Sequence, residues 1–418
     1  MRKLFFTILF LNLTCHVYSN SITIPSDFVT IQKGIDAAVD GDSIVVLAGE
    51  YAENVEVREK SLYIIGKHGA GQTVINGQNG TGMYCQATSS YIVGFSFISC
   101  LWGMIIELQQ EDSLVVENNR FINNSCGMLI TSFSGRGPMI RGNWFQNNSP
   151  NSAIQNYDSS SKIYNNIFIE NEAERGGAIF YVSAVITSYP EFVNNTLYKN
   201  SATIEGGGIY VGWDCHANII NNIIVGNNNG AVCAGPEGYP VFLYNDVWDN
   251  GVEDYINCIV GTNDISEDPA FESSVNYYLQ SGSPCIDAGH PDRSYNDPDN
   301  SRNDMGATGG PYSNIIIMVK VSPSDDGSPE IPQFKLDRNY PNPFNSYTRL
   351  QIHIPLSGYV KADLYDIRGA EVIHLIDGIL AAGQHSIELT SDTLYTGVYV
   401  VSVRYGAQIQ TRKIMVLK

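Results

Sequence analysis

The chain has 418 residues, of which 43% are hydrophobic and 16% charged, enough apolar material for a buried core and too much for a disordered chain. Its formal net charge is −19, from 43 acidic and 24 basic residues, so nucleic acid and anionic membrane are not expected partners. The same field disfavours a polyanionic glycan unless bound calcium bridges the two.

Residues 1–19 read as a signal peptide: Arg2 and Lys3, an apolar run from Leu4 to Leu13, then Val17 and Ser19 before the cleavage point. Cys15 could suggest lipidation, but Thr14 and Asn12 fit that signal poorly. No later stretch approaches the roughly 18 apolar residues of a membrane span, so the mature protein is expected to lack a transmembrane helix and to be secreted or held on the outer cell surface. Removing the leader leaves Cys85, Cys100, Cys126, Cys215, Cys233, Cys258 and Cys285. Their odd count and lack of C-x-x-C spacing speak against a disulfide framework or a zinc site, and they read as small core residues, with one or two bridges left open.

Phe28, Ile31, Ile35, Ala38 and Val39 fall on one helical face, with Ser26 and Asp27 as caps. A helix there would cover the open end of a solenoid, followed by strands Ile44 to Leu47, Val55 to Val57 and Leu62 to Ile65. A short slot then recurs: apolar, variable, two positions rich in Asn or Gly, variable, apolar or aromatic, with Asn soon after. It reads Val116-Glu117-Asn118-Asn119-Arg120-Phe121, Ile140-Arg141-Gly142-Asn143-Trp144-Phe145 and Ile163-Tyr164-Asn165-Asn166-Ile167-Phe168. It continues as Phe192-Val193-Asn194-Asn195-Thr196-Leu197, Ile220-Asn221-Asn222-Ile223-Ile224 and Leu243-Tyr244-Asn245-Asp246-Val247-Trp248. The second Asn position falls at 119, 143, 166, 195, 222 and 246, a period that suits one coil of a parallel β-helix. Apolar and polar residues alternate within each slot as in a strand. Asn tolerates left-handed backbone, and stacked Asn side chains can bond from coil to coil, so the repeat predicts a structural Asn ladder; a ligand-binding polar track is the alternative.

Phe28-Val29-Thr30-Ile31-Gln32 through Val39-Asp40-Gly41-Asp42-Ser43-Ile44 to Ala48-Gly49-Glu50-Tyr51 resembles the opening of right-handed parallel β-helix proteins of the pectin-lyase-like superfamily. Asp268-Pro269-Ala270-Phe271, Ser281-Gly282-Ser283-Pro284-Cys285-Ile286-Asp287-Ala288-Gly289 and Asp304-Met305-Gly306-Ala307 resemble their closing segment. The resemblance implies an all-β body over residues 20–318 and leaves activity open.

A Pro-, Ser-, Asp- and Gly-rich linker is expected at 319–333, after a strand from Ile315 to Val321. Residues 334–418 alternate short strands with Gly turns, predicting a small antiparallel β-sandwich. Tyr340-Pro341-Asn342-Pro343-Phe344-Asn345, Leu364-Tyr365-Asp366-Ile367-Arg368-Gly369, Ala382-Gly383-Gln384-His385, Gly397-Val398-Tyr399 and Lys413-Ile414-Met415-Val416-Leu417-Lys418 resemble the C-terminal sorting domain of type IX secretion cargo. That resemblance implies the type IX machinery as a partner and delivery to the cell surface or beyond.

Hydrolysis on such a fold needs converging carboxylates, and the body has no Asn-Thr-Asp, Asp-Asp or Gly-His-Gly. Arg136-Gly137-Pro138-Met139-Ile140-Arg141 has the Arg-x-Pro-x-x-Arg spacing of pectate lyases, making Arg136 and Arg141 the candidate catalytic residues, although Ile140 and Arg141 also belong to the repeat slot. Acidic residues available to hold calcium nearby are Glu107, Glu111, Asp112 and Glu117. Asp292, Asp297, Asp299 and Asp304 form the richest acidic cluster: a candidate calcium site, or carboxylates capping their own turns. His68, His216 and His290 lack metal-ligand spacing, while Trp102, Trp144, Trp213 and Trp248 could stack on sugar rings where they face outward or form core stacks where they do not. Two functions follow: non-catalytic adhesion or glycan binding through an extended face with Tyr, Trp and Asn, and a calcium-dependent lyase acting on uronate-containing polysaccharide through Arg136 or Arg141.

Overall fold

A computed structural model of the protein describes residues 20–313 and 334–418, apart from 87, 110–111, 252, 274–276, 355–357, 381–382, 392–393 and 406–407. The expected signal peptide (1–19), the strand at 315–321, the linker (319–333) and Glu111 lie outside the described residues.

The body is a right-handed parallel β-helix with three faces. The first face stacks Val55–Arg58, Thr81–Gln86, Trp102–Leu108, Cys126–Arg141, Ile154–Tyr164, Ile179–Val182 and Ile209–Gly212 in parallel register. The long strands Cys126–Arg141 and Ile154–Tyr164 continue around the corner into the second face and join the two into a 17-stranded sheet. The third face is a separate 9-stranded sheet. Period-two alternation sends Met104, Ile106, Met128 and Ile130 into the core and turns Ile105, Glu107, Leu129 and Thr131 outward. Because each coil repeats the slot in register, Phe97, Phe121, Phe145 and Phe168 stack in the interior, ring centroids 4.8–4.9 Å apart and 7° from parallel.

The Asn repeat builds two buried ladders. In one, the Oδ1 of each residue accepts the backbone and side-chain N–H of the Asn one coil earlier, through Asn119, Asn143, Asn166, Asn195, Asn222 and Asn245. The expected last rung was 246, but Asn245 receives Asn222 and Asp246 pairs with Ile223, a slip of one residue that the adjacent polar pair allows. The second ladder runs Asn124, Asn148, Asn171, Asn200, Asn227, Asn250. Each ladder ends on a carboxylate, Asp264 or Asp254, which supplies the acceptor its last Asn needs. The preceding corner residues Asn118, Asn165, Asn194 and Asn221 take the left-handed backbone, φ 53° to 57°.

The cap helix is Ile31–Ala37, with Ile31, Gly34 and Ile35 buried. Its N-cap is Thr30, whose Oγ1 accepts the Lys33 N–H, rather than Ser26 or Asp27; Asp27 instead accepts from Thr23 N. The Glu53 carboxylate takes the free N–H groups of Ile31 and Gln32. The helix therefore starts later than expected, and Val39 lies past its end, exposed.

After Asp264 the chain folds back along the outside of the third face. Phe271, Tyr277, Cys285, Met305 and Ala307 cover Ile167, Ile169, Ile223 and Val225, with Trp144 and Trp248 at the margins. The side chains of Asn165 and Asn194 donate to the carbonyls of Ala307, Gly309, Asp304 and Gly306, pinning this closing segment to the corner.

Residues 334–418 form a three-stranded and a four-stranded antiparallel sheet around a core of their own. Asn342 and Phe344 bond the backbone of Lys413, Met415 and Leu417, so the first motif of this domain holds its last strand in place.

Candidate functional site

Of the two candidate arginines, Arg136 is exposed, whereas Arg141 is 2% exposed. Arg141 Nε and Nη2 each lie 2.6 Å from Glu117 Oε2, and its guanidinium sits 5.0 Å from the Tyr312 ring of the closing segment. Burial pulls its pKa down, but the carboxylate charge and hydrogen bonds more than offset that, so the net shift is upward and the group stays a cation. A permanently charged, buried guanidinium cannot take a proton from a sugar, and Arg141 here ties the second face to the closing segment. Glu107 and Asp112 are turned to other partners: Tyr84 and Gln86 for the first, Gln109 N for the second.

The four aspartates of the closing segment serve their own backbone. Asp292 accepts from Ser294 N, Asp299 from Ser301 N, Asp297 from Asp304 N and Gly310 N, and Asp304 from Asp287 N. Hydrogen bonds hold Asp292 and Asp299 below the usual carboxylate range, while burial lifts Asp297 to about 6 and raises Asp304. Among the described residues, the one group of three His, Cys, Asp or Glu ligand atoms within 4.8 Å of each other is Asp363, Glu371 and His374, in the C-terminal domain. His216 is sandwiched between Tyr189 and Tyr239, with centroids at 5.1 and 4.7 Å. The seven cysteines among the described residues are all free thiols, six of them buried, with no bridge between them.

What the coils do bring together is an outward strip along the first face. One column runs Glu56, Tyr84, Ile105, Leu129, Gln155, Phe180, and beside it run Arg58, Gln86, Glu107, Thr131, Tyr157; the positions that follow, Tyr210 and Val182, are buried. At a strand spacing of about 4.8 Å, the first column extends about 19 Å from Tyr84 to Phe180. At its start Arg58 stacks over the Tyr84 ring at 4.4 Å and pairs with Glu56 at 2.8 Å, while Tyr84 Oη donates to Glu107 at 2.5 Å. Burial, with Glu107 adding to it, raises the Tyr84 pKa, so this phenol holds its proton.

At the other end lies an open groove of about 520 Å³, lined by Gln155, Tyr157, Phe180 and the ridge Glu172–Arg175. Two long corners create it: the ridge pairs with Ser201–Glu205, and both turn back through glycines at positive φ, Gly176 at 62° and Gly206 at 68°. A Cβ on Gly177 would lie 2.4 Å from the Ser201 carbonyl oxygen, so this close approach needs glycine. Phe180 stacks on Tyr210 at 5.1 Å and 6°, covering one face of its ring, and Tyr157 tilts toward it at 5.9 Å. Arg175 pairs with Glu205 at 2.9 Å and Glu174 at 3.1 Å. These residues come from successive coils whose corners differ in length, which is why no linear motif announced them and why counting from the ladder Asn does not align them.

Residues 35–264 match the family described as "Periplasmic copper-binding protein (NosD)", and residues 338–417 match "Secretion system C-terminal sorting domain". No curated protein matches the chain. Among solved structures it is similar to the PL6 family alginate lyase AlyGC, at 12% identity and TM-score 0.37, covering 63% of this chain and 42% of that one. A mutant of the same enzyme gives 13% identity and TM-score 0.29, over 78% of this chain and 61% of that one. The chain thus spans under half the length of the first of these. The sorting domain carries export to, or release from, the cell surface through the type IX machinery. No helix among the described residues is long and apolar enough to cross a membrane.

Proposed function

The chain belongs to the family of periplasmic copper-binding protein (NosD) β-helices, and from that premise we propose that it is an exported, non-catalytic binding protein whose first face takes a glycan chain. Copper, which the family's description implies, does not fit the residues present. The thiols of Cys100 and Cys126 donate to backbone carbonyls inside the wall, and burial pushes them up to about 11 and about 12. Nδ1 of His68 and of His290 each accept a backbone N–H, and the His216 ring is stacked between Tyr189 and Tyr239. Among the described β-helix residues, no three His, Cys, Asp or Glu ligand atoms lie within 4.8 Å of one another.

The observation that carries the glycan reading is the groove at Tyr157, Phe180 and Gln155. A partly exposed aromatic ring suits the C–H surface of a pyranose, and amide and phenol groups beside it suit hydroxyls. Ile105 and Leu129 continue the strip as an apolar floor. The alternative, a calcium-dependent lyase acting on uronates, would have to work from Arg136 without Arg141. Affinity electrophoresis of the mature chain in gels containing soluble polysaccharides tests the proposal. At least one polysaccharide should retard the protein, and Phe180→Ala should weaken that retardation about tenfold, in line with loss of about 1.4 kcal/mol. Equal mobility in every gel, or retardation untouched by Phe180→Ala, would defeat it.

A further inference from the structure

Resting on that reading, we infer that the chain bound along the first face is a polysaccharide without acidic groups. The two outward columns and the flanking ridge hold five carboxylates, Glu56, Glu107, Glu172, Glu174 and Glu205, against two guanidinium groups, Arg58 and Arg175. Both cations are already engaged: Arg58 by Glu56, and Arg175 by Glu205 and Glu174. Neither has a free fork to offer a ligand carboxylate, the geometry by which arginine recognises acids. Glu107 accepts only from a phenol and an amide, and Glu172 stands exposed on the groove's rim, so each leaves a negative charge facing the ligand.

A uronate polymer laid on this strip would place a carboxylate every few ångströms opposite fixed carboxylates, on a protein already at net charge −19. Calcium could reverse that only through a preformed cradle, and among the described residues the strip has no three His, Cys, Asp or Glu ligand atoms within 4.8 Å of one another. An uncharged chain meets none of this. Its hydroxyls find Gln86, Thr131, Gln155 and the Tyr157 phenol, and its apolar ring faces find Ile105, Leu129 and Phe180.

The test is calorimetric titration of the full mature chain with size-matched oligosaccharides from a neutral β-glucan, a neutral xylan, alginate and polygalacturonate. Each is run at low and high salt, with calcium and with chelator. A neutral oligosaccharide should bind with affinity indifferent to salt and calcium, and the uronates at least tenfold more weakly, improving as salt screens the repulsion. The surface double variant Glu172→Gln/Glu174→Gln, which leaves core and fold untouched, should narrow that gap severalfold. Uronates binding as tightly as the neutral chains, through a site sensitive to Phe180→Ala, would overturn the inference while leaving the binding face intact. If no oligosaccharide binds at all, the glycan reading itself fails and the inference with it.

Discussion

Asn166→Ala removes one rung from the middle of the first ladder. Asn166 is fully buried, and its Nδ2 donates to the carbonyls of Ile140 and Tyr164 and to Asn195 Oδ1 at 2.9–3.0 Å. Its Oδ1 accepts from Asn143 N at 2.9 Å and Asn143 Nδ2 at 3.0 Å. After truncation, Asn143 Nδ2 keeps two other acceptors and the Tyr164 carbonyl keeps the Gly142 N–H. The Asn143 backbone N–H is then the one donor left buried and unpaired, at about 1–3 kcal/mol, and the remaining lost bonds add about 1–3 kcal/mol more. The expected loss is about 3–5 kcal/mol in urea unfolding followed by circular dichroism, read as a shift in midpoint at constant m. Asn147→Gly is the matched control: an exposed Asn at φ 53°, where glycine is at ease, should change stability by no more than about 1 kcal/mol. A loss at Asn166 within about 0.5 kcal/mol of wild type would show that the ladder contributes nothing and refute the reasoning.

Arg141→Met should cost about 3–5 kcal/mol in the same assay because it strands the Glu117 carboxylate in the wall, and adding Glu117→Gln should recover a large part; no recovery would mean the pair is not the cause. Thiol titration of the native mature protein should show at most one fast-reacting group, Cys258, and all seven after denaturation, whereas several fast thiols would contradict the sealed core. Asp246, fully buried against Cys285 Sγ at 3.2 Å, has its pKa raised by burial from 3.8 to about 7. Its folded-state pKa lies above the unfolded one, so its contribution is fully present below about pH 4 and is lost as pH rises through about 7. Asp246→Asn should therefore gain stability on wild type across that window, by up to about 4 kcal/mol above it; urea midpoints of the two proteins that stay parallel from acid to neutral pH would contradict this assignment.

Architecture was legible in the sequence because a solenoid writes its period into the chain. The slot ending in Phe121, Phe145 and Phe168 marked both the ladder and the interior ring stack, and the Tyr340 to Asn345 motif marked the second domain. The last rung slipped because Asn245 and Asp246 are chemically alike at one position, and only the coil geometry separates them. The groove was hidden for a different reason. Phe180, Tyr157 and Glu172 are ordinary residues in sequence, and their meeting depends on two long corners and on glycines that let the ridge come close. Conversely, Arg-x-Pro-x-x-Arg stood out in sequence, yet burial turned its second arginine toward Glu117. Of the tryptophans open to either sugar stacking or a place in the core, Trp144 and Trp248 pack against the clusters beneath the closing segment.

The central claim, that the first face binds a glycan without cleaving it, is tested most directly by following the ultraviolet absorbance of unsaturated uronate products. The mature protein is incubated with alginate and polygalacturonate, with calcium and with chelator. A flat trace in every mixture is the expected result. A calcium-dependent rise that disappears in Arg136→Ala would contradict the account and make the protein a lyase.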